Sequence, residues 1–544
     1  MKRHILYSLL ATTLLFGACS KDFLDRTPAN KVAEEEFWHT ENDVKLAVNA
    51  IYGKLGDAMF DDGASDLTHA KNPWESASTE ISAGSIGSDR DAGWNYIPIR
   101  TCNYFLDNVD KAVMDSELKE RYKAEVRFIR AYTYIPIVQK FGNIPLVTKV
   151  LTREESNVPQ APKQEVLDFL YNELEEASKV LPISYSSEKG RITKGAALAL
   201  KARLYLMENN WEQAAISAKE VMGLGYSLFR VNTEDARNQK DNYAKFVDFD
   251  NAADETNFRL GLRSYEGIFQ YENEGNSEVI LDRQQIRVTQ SHLNNTLLLD
   301  ASVGGWSSLT PTQNLVNLYY NYKTGQPAQM AINEVRAANY AKSDKSDFIK
   351  EFKNRDPRFY ASILFESAPW NALTSSGDYV FSWPKGSTNT SLTGYNFRKL
   401  VDPYSQREDV DSYVNIILIR YAEILLTYAE AQNELTGPDA SVFDALDQLR
   451  VRAGMPKVDR AVYASQDGLR ELIRNERAVE LVLEGSRYYD IRRWKIAGAV
   501  MNNIYDITNG LAQKRVWDPK LYLMPIPQSE IDLSYGVLKQ NEGY

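Results

Sequence analysis

Apolar residues recur at helical spacing over most of the first 220 positions. Between 42 and 55, Val44, Ala47, Val48, Ile51 and Leu55 share one face, and Gly56 ends the pattern. The same period predicts helices over 99–109, 116–141 and 163–180, with Gly142, Asn143 and Pro145 terminating the one before them. Residues 193–223 read as two antiparallel helices joined near Asn210-Trp211. Ala197, Ala202, Ala214, Ala215 and Ala218 are small enough to let the two backbones approach, and Leu204, Tyr205 and Leu206 fill the space between them. Such a pair resembles a tetratricopeptide unit. A second pair is predicted over 416–434 and 441–452, with Ala422, Ala429 and Ala431 as its small contacts, and 123–141 supplies part of a third. Helix returns over 467–483 and continues through Trp494. The spacing of the pairs is irregular, which excludes a uniform solenoid.

Two stretches break this rhythm. Residues 57–93 are rich in Gly, Ser and Asp and read as a long loop region carrying Trp74 and, at its end, Trp94. Residues 226–411 show little helical periodicity, only short strand-like runs such as 278–281, and hold Trp306, Trp370 and Trp383 among Gly, Asn and Ser. Irregular chain of that length in a folded protein usually carries function. The pattern therefore predicts a mostly α fold of helix pairs with one long irregular region in which function is expected. Its expected divisions are a leader at 1–18, a helical region at 19–224, the irregular region at 225–411 and a C-terminal helical region at 412–544.

Composition narrows the chemistry. Against 63 Lys and Arg stand 74 Asp and Glu, a net charge of −11, which speaks against a phosphate-neutralising surface and so against nucleic-acid binding. Two Cys and four His exclude a disulfide framework and a Cys/His zinc site. Gly-x-Ser-x-Gly, the P-loop and His-Glu-x-x-His are all absent, so no catalytic residue, metal or cofactor is expected. Asp248, Asp250, Asp254 and Glu255 lack the spacing of a calcium loop and read as a solvated acidic turn.

The N-terminus reads as an address. Lys2 and Arg3 precede an apolar run from 5 to 18, too short for a bilayer-spanning helix, which needs about 20 residues. It has the form of a signal-peptide core. Leu15-Phe16-Gly17-Ala18 before Cys19 resembles a bacterial lipobox, in which the cysteine is diacylated and becomes the first residue. Lipid on Cys19 would then anchor the chain to a membrane and leave Cys102 as the one remaining thiol. Ser20-Lys21-Asp22 resembles a surface-export signal.

Several blocks together resemble the SusD/RagB family of outer-membrane nutrient-binding lipoproteins. They are Asp22-Phe23-Leu24-Asp25 with Pro28, Phe37-Trp38 and Ala50-Ile51-Tyr52; Arg420-Tyr421-Ala422-Glu423-Ile424-Leu425-Leu426 with Tyr428-Ala429-Glu430-Ala431; Arg474-Asn475-Glu476-Arg477 with Glu480-Leu481 and Glu484-Gly485; Arg487-Tyr488-Tyr489-Asp490-Ile491-Arg492-Arg493-Trp494; Leu523-Met524-Pro525-Ile526-Pro527; and the closing Gln540-Asn541-Glu542-Gly543-Tyr544, where Glu542 replaces the family's usual Pro. The resemblance implies a SusD-like fold on the outer surface of a Bacteroidota-type outer membrane. It also implies a TonB-dependent SusC-like transporter as partner, with capture of a glycan for import as the task. Capture of a peptide, or service as a transporter lid with little affinity of its own, stays open beside it.

A sugar ring offers an apolar C–H face and a hydroxyl rim, so its site needs an exposed aromatic with polar groups at the edge. Trp306 leads the candidates, because Gly304-Gly305 precede it and the stretch before Pro311-Thr312-Gln313 lies near the ligand in the resembled family. Trp74, between Asn72 and Glu75, and Trp370 and Trp383, flanking a Ser/Gly loop, follow; Tyr265 and Tyr404 come next, with Asp66 and Arg398 as rim groups. Trp38, Trp94 and Trp211 are expected in the core. The Arg- and Glu-rich block at 474–494 reads as structural, with Arg477, Glu480 and Glu484 pairing along one helix face and buried forks joining helices.

Overall fold

The computed structural model describes residues 37–233, 241–408 and 410–544. The leader, Cys19 and the 22–28 motif lie outside the described residues. No helix among the described residues is long and apolar enough to cross a membrane.

The helices form as their pattern predicts, and their caps explain the boundaries. Ser116–Phe141 starts where the Asp115 carboxylate accepts from the Leu118 N–H at 2.8 Å, and it ends at Gly142, whose φ of 76° suits a residue without Cβ. Lys194–Met207 is capped by Thr193 and Trp211–Met222 by Asn210. Consecutive helices Ile97–Asn108, Ser116–Phe141, Lys163–Val180, Lys194–Met207 and Trp211–Met222 pack each on the next. Some 200 residues (223–420) then intervene, of which only Leu228 and the strand residues Ile280, Leu281 and Ile419 are buried in the helical core. The chain returns as Tyr421–Thr436, which docks directly on Trp211–Met222 and carries Ala440–Arg452 and Gln466–Glu480 behind it. Ala197, Ala202, Ala214, Ala218, Ala422, Ala429 and Ala431 are fully buried at these crossings, as close backbone approach requires. Trp38 and Trp94 lie in this core, Trp94 edge-on to Phe141 with centroids 4.9 Å apart, and Trp211 packs half-buried against it.

The intervening segment is less irregular than its sequence suggests. It contains Ala252–Glu266 and Asn333–Ala341 as helices and supplies most of a second core, which Leu67, Ala453 and Val479 help to complete. That core is aromatic: Phe352, Phe359 and Phe365 pack with centroids 4.5 to 5.9 Å apart, and Phe246 and Tyr360 close around them. Each ring buries far more area than an alanine, so short segments without helical period suffice to stabilise it.

Two sequence expectations are corrected. The helix predicted to begin at 416 begins at Tyr421; Ile416–Arg420 is a strand, antiparallel to Val279–Arg283. Four consecutive β-branched or apolar residues, Ile416-Ile417-Leu418-Ile419, fit a strand better than a first helical turn. The pairing expected along one face of the 474–484 helix is also not formed. Gln466–Glu480 stops before Glu484, and Arg477 pairs instead with Asp490 at 3.0 Å. Glu480 receives Arg420 at 2.7 Å, Arg358 at 2.9 Å and Arg452, while Glu476 takes Arg358 and Arg450, each at 2.8 Å. Arg358 lies on the short helix Pro357–Ser362 and Glu476 and Glu480 on Gln466–Glu480, so these buried forks fasten the two helices together.

Candidate functional site

A two-stranded ribbon sets the site. Thr68–Ala70 pairs antiparallel with Leu309–Pro311, Ala70 opposite Leu309, and the Lys71 N–H extends the pairing to the Ser308 carbonyl at 2.9 Å. Residues that follow Ala70 and residues that precede Leu309 therefore emerge at the same end of the ribbon. That places Trp74 and Trp306, more than 200 positions apart in the chain, on one groove of about 740 Å³, with Trp383 as a third wall.

Each ring is held by its own local structure. Trp74 sits in a turn where Asn72 Nδ2 donates to Glu75 Oε1 at 3.0 Å; Ser308 Oγ donates to the same oxygen at 2.8 Å, tying the turn to the other strand. Trp306 follows a tight passage. Gly304 has φ 81°, and a Cβ on Gly305 would lie 2.0 Å from the Leu299 carbonyl oxygen, so only glycine fits there. Ser307 takes φ 51°, and the Trp306 N–H donates to the Thr296 carbonyl at 2.7 Å. The result is two presented rings, Trp74 78% exposed and Trp306 41%. Trp383 is only 6% exposed. Its indole N–H donates to the Ser391 carbonyl at 3.0 Å, and Tyr340 lies against its ring, so it offers a wall rather than a platform.

Polar groups ring the aromatics. The 385–392 loop brings Ser387, Thr388 and Asn389 to the rim and is held by Lys71 Nζ donating to the Thr390 carbonyl at 3.2 Å and Ser307 Oγ donating to that of Asn389 at 3.3 Å. Lys385 pairs with Asp506 at 3.0 Å. Burial lowers the pKa of the Lys71 ammonium, partly countered by the nearby Glu75 carboxylate. The charged groups of the groove, Lys71 and Lys385 against Glu75 and Asp506, balance. Amide, hydroxyl and paired ionic groups around exposed indoles suit a neutral ligand with an apolar face and many hydroxyls.

Of the expected ligand residues, the structure brings together Trp74, Trp306 and Trp383. It places four others in the interior. Tyr265 is fully buried, its hydroxyl donating to the Glu480 carbonyl at 2.8 Å; Trp370 is buried beneath the Arg398 guanidinium, 4.8 Å from its ring. Arg398 itself is buried against Glu266 and Asp241, and Asp66 forms a bidentate pair with Arg487 at 2.8 and 2.9 Å. A loop-like composition signalled exposure for these residues, but Tyr265 lies on the buried face of Ala252–Glu266, and all four side chains point into the interior. Tyr404 is half-exposed on the short helix Pro403–Arg407 and does not line the groove.

Sequence reasoning missed the 385–392 loop, Lys71 and Asp506. The Asn509-Gly510 turn, which closes a hairpin on Asp506 through N–H donors of Thr508 and Gly510 at 2.7 and 2.8 Å, was the available signal for the last. The acidic turn is occupied by lysines: Asp248 pairs with Lys353, and Asp250 and Asp254 with Lys323. Among the described residues no group of three His, Cys, Asp or Glu is arranged to hold a metal ion.

Comparison with known proteins gives the same architecture. A solved structure of a SusD-like protein from Bacteroides fragilis is 29% identical, with a TM-score of 0.78 over 95% of this chain and 100% of that one. A SusD-like carbohydrate-binding protein from the same organism is 27% identical, with a TM-score of 0.73 over 92% of this chain and 99% of its own. A SusD-like protein of Formosa agariphila is 25% identical over 98% of both chains. A family model described as starch-binding and associating with the outer membrane matches residues 22–206, and the model of the SusD family matches residues 265–544, which takes in Trp306, Trp383 and the Arg–Glu forks. On that match, which covers more than half its length, and on the fold that these solved structures share with it, the chain belongs to the SusD family.

Proposed function

We propose that this protein is a surface lipoprotein that binds an oligosaccharide or polysaccharide in the Trp74–Trp306 groove and passes it to a TonB-dependent SusC-like transporter, without itself cleaving it. The observation that carries the reading is the pair of exposed indoles brought to one groove by the ribbon and rimmed by Asn, Ser and Thr. Stacking of a sugar's C–H face on an indole with hydroxyls bonded at the rim is the chemistry such a groove supports. The match to a family model described as starch-binding and outer-membrane associated, and the likeness to a protein described as carbohydrate-binding, support the same direction. In this reading the acyl group on Cys19 anchors the chain and the groove supplies affinity.

Calorimetry of the chain without its lipid against neutral polysaccharides, soluble starch and laminarin among them, tests the binding step. Heat of binding with no release of reducing ends supports a receptor. Cleavage of any of them by the pure protein overturns the non-enzymatic reading, and binding that survives loss of both indoles overturns the site.

A further inference from the structure

The ribbon that places Trp306 at one end places a different groove at the other. Leu309–Pro311 runs on into Thr312 and Gln313, which line a second cleft of about 480 Å³. Its remaining walls are Asn333 and its neighbours at the start of the Asn333–Ala341 helix, and Asn503, Ile504 and Tyr505 of the hairpin formed by Ile504–Tyr505 and Leu511–Gln513. The two grooves are neighbours. Tyr505 lines the second and Asp506, the next residue, lines the first, so one strand of the hairpin separates them. From Trp306 to Thr312 the extended chain spans at most about 20 Å.

The second cleft has its own chemistry. Five carboxamides line it: Gln313, Asn314, Asn317, Asn333 and Asn503. Three of them are held by their oxygens. Asn317 Oδ1 accepts from Gln313 Nε2 at 2.8 Å, Asn333 Oδ1 from Arg336 Nη1 at 2.7 Å and Asn503 Oδ1 from the Arg515 N–H at 2.8 Å. Their NH2 groups have no acceptor among the described residues, which leaves the cleft rich in oriented donors. The buried Arg336 is neutralised by Glu351 at 2.6 Å, and Glu334 on the rim is exposed, so the cleft holds no unpaired cation to attract an anion. Tyr505, 37% exposed, presents a ring beside these amides. Donors without net positive charge, next to an accessible aromatic, match the hydroxyl and ring oxygens of an uncharged sugar.

We infer that this amide-lined cleft is a second glycan subsite, and that the protein's ligand is a neutral polysaccharide long enough to lie across the 503–506 hairpin from the Trp74–Trp306 groove into it. The inference rests on the reading of the first groove, and its test separates the two. Affinity is measured by calorimetry for soluble starch and laminarin and for short and long oligosaccharides cut from each. The native sequence is compared with Tyr505→Ala and Asn317→Ala, both at exposed positions, with melting temperatures as a check on folding. For the glycan that binds, affinity is expected to rise with chain length. Each variant should weaken the long chain roughly five- to tenfold while leaving the shortest bound fragment unchanged. Trp306→Ala should weaken every length. Long-chain affinity unchanged in both variants, or a short fragment bound as tightly as the polymer, overturns the second subsite and leaves the first groove standing. A native protein silent toward all of these glycans overturns both.

Discussion

Two parts of this molecule are dense in residues that look chemical, and they differ in what those residues face. The 474–494 block holds Arg477, Glu480, Glu484, Asp490 and Arg493, nearly all inside the protein. Arg493 forms a fork with Glu430 at 2.6 Å, to which the Trp494 indole N–H also donates at 2.7 Å. The Trp74–Trp306 groove has fewer charges, on loops, and presents its rings to solvent. In the first, charge is turned inward: a guanidinium presents its N–H donors in a fixed fork, and buried carboxylates from segments far apart in sequence meet those forks. In the second, tight glycine turns and side-chain-to-backbone bonds hold apolar surface out where collapse would otherwise bury it. Abundance of catalytic-looking residues therefore marks the structural joint of this fold, and exposed aromatic area held against burial marks the place for a ligand.

This contrast breaks first at Glu480. Glu480→Ala leaves Arg420, Arg452 and Arg358 buried without their shared carboxylate, and removal of one member of a buried ion pair costs about 3–5 kcal/mol. Chemical denaturation should show that loss, and a variant as stable as the native protein would refute the joint. Acid should act on the same residue. Burial alone would raise the Glu480 pKa, but Arg452, Arg420 and Arg358 outweigh it and hold the carboxyl well below its ordinary 4.5. With the folded value depressed, the unfolded chain binds the extra proton first. The contribution of Glu480 is full above pH 4.5 and falls as pH drops toward the folded value, which a series of melts below pH 5 would reveal as a steepening loss. A melting temperature flat across that window would contradict the assignment.

The groove predicts smaller effects on stability and larger ones on binding. Gly305→Ala drives a Cβ into the Leu299 carbonyl, so about 1–3 kcal/mol of stability and the seating of Trp306 should go together, read as a lower melting temperature with weaker glycan binding. Trp74→Ala, at a ring almost wholly in solvent, should change stability by less than about 0.5 kcal/mol while still weakening the ligand.

What the sequence disclosed follows the same division. The bounds of Ser116–Phe141 were legible because its caps and its period are both local. The strand at Ile416–Arg420 was not, because its partner lies some 135 residues earlier, and short apolar runs read equally as helix or strand. Trp74 and Trp306 were legible as exposed rings from their Gly and Asn neighbours, but their meeting depends on a ribbon register that no local pattern carries. Tyr265 and Trp370 were misread for a related reason: exposure was inferred from loop composition, whereas burial was set by the aromatic core those residues help to form. The partners of Glu480 came from three separate segments, so an i,i+3 or i,i+4 rule could not find them.

The central claim, that affinity resides in the presented indoles rather than in the charged block, is tested most directly by one titration. The chain carrying both Trp74→Ala and Trp306→Ala is compared by calorimetry with the native chain against the polysaccharide that the native chain binds. The account predicts a melting temperature close to native and affinity lowered at least about tenfold, as loss of two stacking rings implies. Native-strength binding by the double variant would contradict it.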